Sequence, residues 1–480
     1  MLLLLSLACR PPATADPELS TATEDGAPHV VRASVGDGLG PLSRALVVEL
    51  SDPAPVAVAC EAVGDAAEAH LLESAAATRH DLRLLGLRGG TTWRCAAMVT
   101  EPLSAPVAFG FVTEAVTYPT MRETHITTGF ARPRGYLLTN VGRFRSRRAA
   151  LAMFDADGVL RWANPLPNAV KISVEALPDY PGGLWWGGGE IVSSPRRVDG
   201  WAGETFGETW PGGHLSHHDG KRLGDGRLLN LDLRPNRSGG ASFDGFGVRI
   251  YDPQTQTFDL DYDSQADLDA GRLPAPVNAD DTDPWHANWV DHRDGTVFVS
   301  LCSAESIVAI DVATQQIVWT FGEGGDFTVV DASGTTLGAE GFPHCQHGLE
   351  VSEDGTDWLV YDNGRGTGAS RVVRYTVDAD ARRATLRWQW TEPGWQLPLL
   401  GDADWLADGD LLLTMGDFDE VTRYVRLAMP EETVAWEAWL GPPGNAYRSE
   451  WIDGCQVFAS VRECPTREAR YAELRAALFP

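Results

Sequence analysis

The feature that most constrains the fold of this chain is a repeated turn. Four Asp-Gly pairs recur at intervals of 54 to 69 residues, at Asp225-Gly226, Asp294-Gly295, Asp354-Gly355 and Asp408-Gly409. Apolar runs that end in tryptophan accompany them, at 158–162, 316–319, 385–388 and 433–436. Asp-Gly between short alternating segments is a strong hairpin signal. A period of this length in a strand-rich chain predicts the four-stranded blades of a β-propeller.

The repeat defines the larger of two predicted domains. Residues 134–455 have room for about six such blades, so we expect an all-β chain dominated by a six-bladed β-propeller. The high content of glycine (50) and proline (30) agrees with many turns and short strands. A large β-sandwich or a β-helix is the alternative that the same pattern leaves open.

A smaller β domain precedes the repeat. Within 29–115, apolar and polar residues alternate at 46–50, 55–60 and 93–99. The run 82–92 resembles a loop of fibronectin-type and immunoglobulin-like domains, and about 85 residues suit such a β-sandwich. We expect 116–133 to be a linker and 456–480 to be a C-terminal tail with a short helix.

The N-terminus predicts export. Residues 1–9, MLLLLSLAC, look like the end of a secretory apolar region that runs into a lipoprotein cleavage site, with Cys9 as the lipidated residue. Residues 10–28 then form a flexible tether. We therefore expect a periplasmic or cell-surface lipoprotein that is held at the membrane only by a lipid on Cys9. A disordered apolar tip is the alternative interpretation.

The remaining six cysteines form three local pairs: Cys60 with Cys95, Cys302 with Cys345, and Cys455 with Cys464. Six cysteines allow 15 pairings, so this assignment rests on proximity alone. Three disulfides would agree with an oxidising compartment such as the periplasm.

Charge excludes several classes of partner. With 39 basic and 67 acidic residues the formal net charge is −28, which disfavours binding to nucleic acid or to anionic lipid. The chain has only two lysines, Lys171 and Lys221, and neither follows a glycine-rich phosphate loop. We expect no nucleotide site and no cofactor, whereas a homo-oligomer is compatible with the sequence.

Three histidines share a phase with the repeat. His218 and His347 lie eight residues before the glycine of their turn, and His286 lies nine before its own. These places fall where the first strand of a blade begins, so we expect the side chains to point into a central channel. One such histidine would suggest ordinary packing, but three among only 11 favour a functional site.

Local motifs resemble the bacterial arylsulfate sulfotransferases. The carrying segments are Asp283-Pro-Trp-His-Ala-Asn288, Gln346-His347-Gly-Leu, and 361–364 (Tyr-Asp-Asn-Gly) followed by Ser370-Arg371. The likeness covers about 215–450 well and the earlier blades loosely. It implies a six-bladed propeller with an N-terminal β domain. It also implies transfer of a sulfuryl group from a phenolic sulfate ester to a phenol, without a nucleotide donor.

The resemblance also implies roles for individual residues. His286 and His347 fill the imidazole roles, one as covalent carrier and the other in proton transfer. Arg371 supplies a guanidinium fork for sulfonate oxygens. Substrate-binding residues would be His218 as a lining residue, Asn288 and Asn363 as orienting groups, and Trp285 as a surface on which phenols stack. We expect the three histidines and Arg371 to converge at one mouth of the channel.

One departure from the family leaves a second function open. In the family the modified histidine follows the Ser-Arg motif, but no histidine follows His347 here. A non-catalytic surface propeller that binds a partner or an anionic ligand is therefore the alternative. Metal sites are the weaker interpretation. Zinc could bind at His344, Cys345 and His347 with Cys302 and His286, and calcium at Asp402, Asp404, Asp408 and Asp410.

Overall fold

The computed structural model describes residues 26–38, 40–117, 119–143, 148–167, 173–176, 183–187, 196–200, 205–208, 216–238, 241–278, 281–397, 399–416, 422–441 and 444–480. Strands dominate them, which confirms the predicted all-β class. The chain divides into two compact units, Met1–Ala115 with Ala459–Pro480, and Val116–Phe458. Cys9 and the proposed signal segment lie outside the described residues.

The first unit contains a five-stranded sheet. Its strands are β1 (Val30–Asp37), β2 (Ser43–Ala62), β3 (Asp65–Leu85), β4 (Thr92–Val99) and β5 (Val107–Val112). They pair in the order β1-β2-β4-β5, and β3 also pairs with β2. A disulfide joins Cys60 of β2 to Cys95 directly opposite on β4, which is the pairing that proximity favoured.

Alternation along β2 explains why both faces of this sheet are covered. Val56 and Val58 belong to one apolar cluster, whereas Ala57 and Ala59 belong to another. Residues of the C-terminal helix, Pro465–Leu478, complete the second cluster. The helix expected in the C-terminal tail therefore packs on the first unit, because its apolar stripe is buried there.

The second unit is built from six sheets among its described residues. Its strands are β6 (Met121–Ile126), β7 (Tyr136–Arg143), β8 (Arg148–Asp155), β9 (Leu160–Pro167), β10 (Ser173–Ala176), β11 (Gly183–Gly187), β12 (Arg196–Gly200), β13 (Thr205–Glu208), β14 (Ser216–Arg222), β15 (Leu228–Ser238), β16 (Ala241–Asp252), β17 (Thr257–Asp263), β18 (Ala287–Arg293), β19 (Thr296–Leu301), β20 (Ser306–Asp311), β21 (Gln316–Gly322), β22 (Thr328–Val330), β23 (Gln346–Val351), β24 (Asp357–Asp362), β25 (Arg371–Asp378), β26 (Arg383–Trp390), β27 (Asp402–Trp405), β28 (Leu411–Met415), β29 (Arg423–Ala428), β30 (Thr433–Leu440) and β31 (Ser449–Ile452). Two short helices, α1 (Ser264–Asp269) and α2 (Gly454–Val457), complete the unit.

Most of these sheets are formed by one continuous stretch of chain. The pairing orders are β31-β7-β8-β9, β10-β11-β12-β13, β14-β15-β16-β17, β18-β19-β20-β21, β22-β26-β25-β24-β23 and β27-β28-β29-β30-β6. The Asp-Gly repeat marks the turn between the first and second strands in four of them. The four turn glycines have φ of 75° to 89°, which glycine adopts without a steric penalty.

Two sheets are completed by strands that are distant in sequence. β31 pairs with β7, and β6 pairs with β30. We expected 116–133 to be a linker, but this segment contains β6, which is a strand of one of the sheets. An unpaired β30 would expose a row of backbone donors and acceptors, and β6 covers that edge.

Two further observations bear on the sequence predictions. Cys455 and Cys464 are both disulfide-bonded, while their pairing with each other stays a prediction. Within the described part of the chain, no helix combines the length and apolar character that crossing a bilayer requires.

Candidate active site

The histidines lie where the first strands of three neighbouring sheets begin. β14 contacts β18, and β18 contacts β23. His218 and His286 have positive φ angles of 56° and 45°, a conformation that is costly for residues other than glycine. His347 lies between Gln346 and Gly348, where the pairing of β23 with β24 shifts by one residue. Such bulges re-aim side chains and are frequent next to active sites.

The three histidines do not occupy equivalent positions, which corrects the expectation from spacing. In β18 the bulge that corresponds to His347 holds Asn288. Before β23 the left-handed position that corresponds to His286 holds Cys345, with φ of 57°. The three histidines are nearly equally far from their Asp-Gly turns in sequence, because extra residues in the bulges and turns compensate for their different structural positions.

A cluster of three imidazoles occupies the site, and we call it the histidine triad: His217, His218 and His286. Ring centroids of His218 lie 4.1 Å from His217 and 4.7 Å from His286, and the third pair is 5.6 Å apart. One ring nitrogen of each lies within 4.8 Å of the others. His217 and His218 are buried, whereas the His286 side chain is 20% exposed, so the cluster opens at His286.

Each ring of the triad is held through Nδ1. His217 Nδ1 lies 2.9 Å from the Ala287 carbonyl oxygen, and His286 Nδ1 lies 2.7 Å from Asp283 Oδ2. His218 Nδ1 lies 3.1 Å from the Tyr447 hydroxyl. These contacts hold each ring so that its Nε2 edge points away from the group that bonds Nδ1.

Asp283 orients His286 as the carboxylate of a catalytic dyad would. Its Oδ1 accepts the backbone N–H of His286 at 3.0 Å, and its Oδ2 accepts Nδ1–H of the same residue. Burial opposes ionisation of Asp283, but the hydrogen bond from His286 and the positive charges of His286 and His217 outweigh it and lower the pKa of this carboxyl. Asp283 is therefore suited to stabilise an imidazolium at His286.

His347 is fixed by an amide that is itself fixed. Its Nδ1 lies 2.7 Å from Asn363 Oδ1. Asn363 Nδ2 donates to the carbonyl oxygens of Leu397 and Leu400, both at 2.8 Å. Because carbonyls only accept, the amide cannot be flipped, so Asn363 presents its oxygen to His347. The His347 ring centroid lies 6.4 Å from that of His286.

Tyr447 and Arg448 approach the cluster from the segment before β31. The Tyr447 hydroxyl donates to the Asn288 carbonyl oxygen at 3.1 Å, and its ring centroid lies 6.4 Å from that of His347. Arg448 donates to the same carbonyl at 3.2 Å and pairs with Asp219 at 3.1 Å. Burial lowers the pKa of Arg448, but Asp219, Asp402 and Tyr447 together raise it more, so the guanidinium stays charged.

The hydrogen bonds that the structure gives the Arg371 guanidinium go to residues other than the three histidines. The guanidinium bonds Asp362 at 2.8 Å, the Glu340 and Phe342 carbonyl oxygens at 3.0 and 2.7 Å, and the Gln389 side chain at 3.0 Å. The physical reason is that Asp362 faces Arg371 directly across the β24–β25 pair and is fully buried. Arg371 is thereby committed to a structural ion pair.

The other expected substrate contacts are also structural. Trp285 is 4% exposed, belongs to the core between β14–β17 and β18–β21, and donates to the Pro274 carbonyl oxygen at 3.0 Å. It is therefore buried rather than open to a phenol. Asn288 donates through Nδ2 to the Gln346 carbonyl oxygen at 2.8 Å, so it links β18 to β23.

Cys302 and Cys345 form a disulfide beside His347. The Arg365 guanidinium lies 3.0 and 3.2 Å from the two sulfurs. Because the sulfurs are bonded to each other, they are not the thiolates that bind zinc, so the zinc site considered from the sequence is disfavoured. His344 pairs instead with Glu305 at 2.9 Å.

Further along the same first strands lies an acidic cavity of about 470 Å³. Its lining includes Asp402, Asp404 and Glu350 together with Trp289 and Trp405. Burial raises the pKa of all three carboxyls, that of Asp402 to about 6, and carboxylates nearby reinforce the effect at Asp404. The same burial penalises the charged carboxylates that calcium requires, which disfavours the calcium site considered from the sequence.

Sequence reasoning missed four residues of the site: His217, Asp283, Tyr447 and Arg448. Two of them could have been found from the sequence. His217 adjoins His218, and Asp283 lies three residues before His286 in the motif quoted above. Tyr447 and Arg448 could not have been found in this way. Their position depends on Asn140, whose Oδ1 accepts both of their backbone N–H groups from more than 300 residues away.

Comparison with known proteins adds a family. The family model described as Arylsulfotransferase (ASST) matches residues 136–433, which is more than half of the chain. No curated protein matches the chain.

Similar solved structures are distant. A Bacteroides uniformis protein provisionally assigned as a 6-phosphogluconolactonase is 12% identical, with a TM-score of 0.39 over 66% of this chain and 100% of that one. Virginiamycin B lyase from Staphylococcus aureus is 11% identical, with a TM-score of 0.33 over 66% of this chain and 98% of that one. At these scores neither carries an argument about fold or function.

Proposed function

The chain belongs to the arylsulfotransferase family, and we propose that it moves a sulfuryl group from a phenolic sulfate ester to a phenol at the histidine cluster. The donor is a free aryl sulfate and not a nucleotide. The observation that carries the proposal is the hydrogen bond between His347 Nδ1 and Asn363 Oδ1.

The proposed scaffold is a six-bladed β-propeller. In support, the first strands contact one another in sequence, β14 with β18, β18 with β23 and β23 with β27. β31 contacts β28 and β10, and β10 contacts β14, which closes the series. The pairing of β31 with β7 adds the last strand of the unit to the sheet that contains β7, β8 and β9, as ring closure requires. For the first unit we propose a small β-sandwich, since β2 pairs with β1 along its first half and with β4 along its second.

His347 is the proposed carrier of the sulfuryl group. Since Asn363 Oδ1 only accepts, Nδ1 of His347 holds the proton, and Nε2 of the neutral ring holds a lone pair. A lone pair on a buried, oriented imidazole is what nucleophilic attack at sulfur requires. This also accounts for the absence of a histidine after the Ser-Arg motif, because His347 performs the role itself.

The reaction has two balanced halves. In the first, a bond forms between His347 Nε2 and sulfur, the ester S–O bond breaks, and the departing phenolate takes a proton from Nε2 of protonated His286. In the second, neutral His286 takes the proton of the incoming phenol, whose oxygen bonds sulfur while the N–S bond breaks. Asp283 stabilises His286 while it is protonated.

Arg448 is the proposed source of positive charge at the site. Its guanidinium lies 5.2 Å from the centre of the Tyr447 ring, and that ring lies beside both His218 and His347. Charge that accumulates on sulfuryl oxygens in the transition state is stabilised by such a fixed cation. Arg371, which is engaged elsewhere, is not given this role.

Export is part of the proposal. Family membership and the two disulfides described above are consistent with an oxidising compartment. Lipidation of Cys9 and a periplasmic or cell-surface location remain predictions. A phenol acceptor and an aryl sulfate donor are the proposed partners.

An assay with a chromogenic nitrophenyl sulfate and phenol tests the proposal. Wild-type protein should release nitrophenol in proportion to the phenyl sulfate formed. His347→Asn and His286→Asn should each lose about 100-fold or more, the usual contribution of a nucleophile or proton-transfer group. His125→Gln, at an exposed histidine of β6, is the control and should match wild type. Full activity in His347→Asn would refute the assignment.

A further inference from the structure

The hydrogen bonds of the histidine triad determine which ring nitrogen carries the proton when each ring is neutral. The Ala287 carbonyl and the Asp283 carboxylate can only accept, so His217 and His286 carry their proton on Nδ1. The Tyr447 hydroxyl donates to the Asn288 carbonyl, so it accepts from Nδ1 of His218. In their neutral forms all three rings therefore hold a lone pair on Nε2.

The three rings are also close enough to share one ion. One ring nitrogen of each lies within 4.8 Å of a ring nitrogen of the other two. Two of the rings are almost completely buried, and His217 Nε2 is 3.9 Å from the Asp283 carboxylate.

We infer that His217, His218 and His286 bind one divalent transition-metal ion, of which Zn²⁺ is the type. Neutral imidazole is a preferred ligand of zinc, cobalt, nickel and copper, whereas magnesium and calcium prefer oxygen. Three histidines leave a fourth tetrahedral position open, and the partial exposure of His286 provides an entry path. The nitrogens would close to about 3.4 Å from one another at ordinary Zn–N distances.

The surroundings match those of metal-bound histidines in general. In such sites the second ring nitrogen donates to a carboxylate, a backbone carbonyl or another oxygen, which fixes the tautomer and raises ligand basicity. Here Asp283, the Ala287 carbonyl and the Tyr447 hydroxyl fill these three places. The Asp283 carboxylate beside the site would also offset the charge of the ion.

The site has a consequence for sulfuryl transfer that rests on the proposed function. The metal would use Nε2 of His286, which is the nitrogen that the proposed reaction uses for proton transfer. Metal and proton then compete, so the loaded protein should transfer poorly and the metal-free protein should transfer well. Metal binding itself does not depend on this reaction.

The test uses the full chain with its disulfides intact, freed of metal by a chelator and dialysis. Titration with Co²⁺ should produce the strong visible absorption of a four-coordinate cobalt site, and one equivalent of Zn²⁺ should displace it. His217→Gln should weaken Co²⁺ binding at least about tenfold. Glutamine keeps a donor for the Ala287 carbonyl.

His344→Gln is the matched control, because His344 lies beside the Cys302–Cys345 disulfide and outside the triad. It should bind Co²⁺ like wild type. An absence of the absorption band in wild type, or equal affinity in wild type and His217→Gln, would overturn the inference. A loss of Co²⁺ binding in His344→Gln alone would also overturn the inference, since the ion would then lie near His344 and not at the histidine triad.

Failure of the two proposals can be told apart. Cobalt absorption without sulfuryl transfer in the metal-free protein would leave the metal site and reject the transferase. Transfer by the metal-free protein without any cobalt band would do the reverse. Inhibition by Zn²⁺ that His217→Gln relieves would support both.

Discussion

At the scale of single residues, the partner of one ring nitrogen decides what the other nitrogen can do. Asn363 holds Nδ1 of His347, and two backbone carbonyls hold Asn363, so three hydrogen bonds place the proton of the neutral His347 ring on Nδ1. Asp283 acts on His286 in the same manner but adds a charge. In the proposed reaction this difference would make His347 the carrier and His286 the proton-transfer group.

The two arginines discussed above should respond differently to the same conservative change. Arg448→Lys should lower transfer at least about tenfold, because an ammonium cannot hold Asp219 and the Asn288 carbonyl while covering the Tyr447 ring. Arg371→Lys should instead lower stability by about 1–3 kcal/mol through lost hydrogen bonds. Initial rates per folded protein and urea midpoints measure the two effects.

The opposite pattern would contradict this account. If Arg371→Lys removed transfer without loss of stability, the guanidinium fork implied by the family resemblance would be the correct assignment. Arg448 would then be only a structural ion pair with Asp219.

At the scale of structural elements, the irregular starts of the first strands position the site. A regular strand would alternate its side chains between two faces, whereas the left-handed residues and bulges of β14, β18 and β23 bring neighbouring side chains toward one space. The segment before β27 contributes indirectly. Its Leu400 carbonyl holds Asn363, and Gly401 follows with φ of 115°.

Gly401→Ala should therefore disturb both stability and transfer. A Cβ at this position would overlap the buried Tyr361 ring, and relief of the overlap would move the Leu400 carbonyl away from Asn363. We expect a loss of about 3 kcal/mol or more, with transfer reduced in the protein that remains folded. Urea unfolding and initial rates provide the measurements.

Gly394→Ala is the matched control for backbone strain. Gly394 has φ of 80°, but a Cβ there would meet nothing within 4 Å. It should cost about 1 kcal/mol and leave transfer unchanged. Equal effects of the two substitutions would show that strain alone, and not the contact with Tyr361, is responsible.

The elements were more predictable from sequence than the site. Asp-Gly turns are local, so their spacing predicted where hairpins form, and proximity favoured the Cys60–Cys95 and Cys302–Cys345 pairs. Which way a side chain extends is not local. Arg371 was assigned to the site because the motif gives its place in the sequence. The motif does not show that Asp362, on the neighbouring strand, forms an ion pair with its guanidinium. Arg448 was missed because Asn140 holds it from a distant strand.

At the scale of the whole molecule, stability should depend on pH through the acidic cavity. Asp402 is 6% exposed, and burial raises its pKa to about 6, although Arg448 and Lys221 oppose the rise. Unfolded Asp has a pKa near 4, so between about pH 4 and 6 the folded state binds more protons than the unfolded state. Stability therefore falls as pH rises through this window and levels off above it.

Asp402→Asn should reduce this decline, and the raised pKa values of Asp404 and Glu350 should leave the remainder. At pH 4 the variant should match wild type, and at pH 7 it should be more stable by about 1–3 kcal/mol. Urea midpoints at pH 4, 5, 6 and 7 measure the difference. Asp380→Asn, at an exposed turn, is the control and should follow wild type throughout. A decline of the same size in Asp402→Asn would mean that other groups cause it.

The central claim is that His347 carries the sulfuryl group, and one measurement tests it most directly. Protein is mixed with an aryl sulfate in the absence of acceptor, and intact mass and peptide mapping follow. The account predicts one added sulfuryl group per chain, located on His347, absent from His347→Asn and lost when phenol is added. Release of the donor phenol with no added mass, or a sulfuryl group on any other residue, would contradict it.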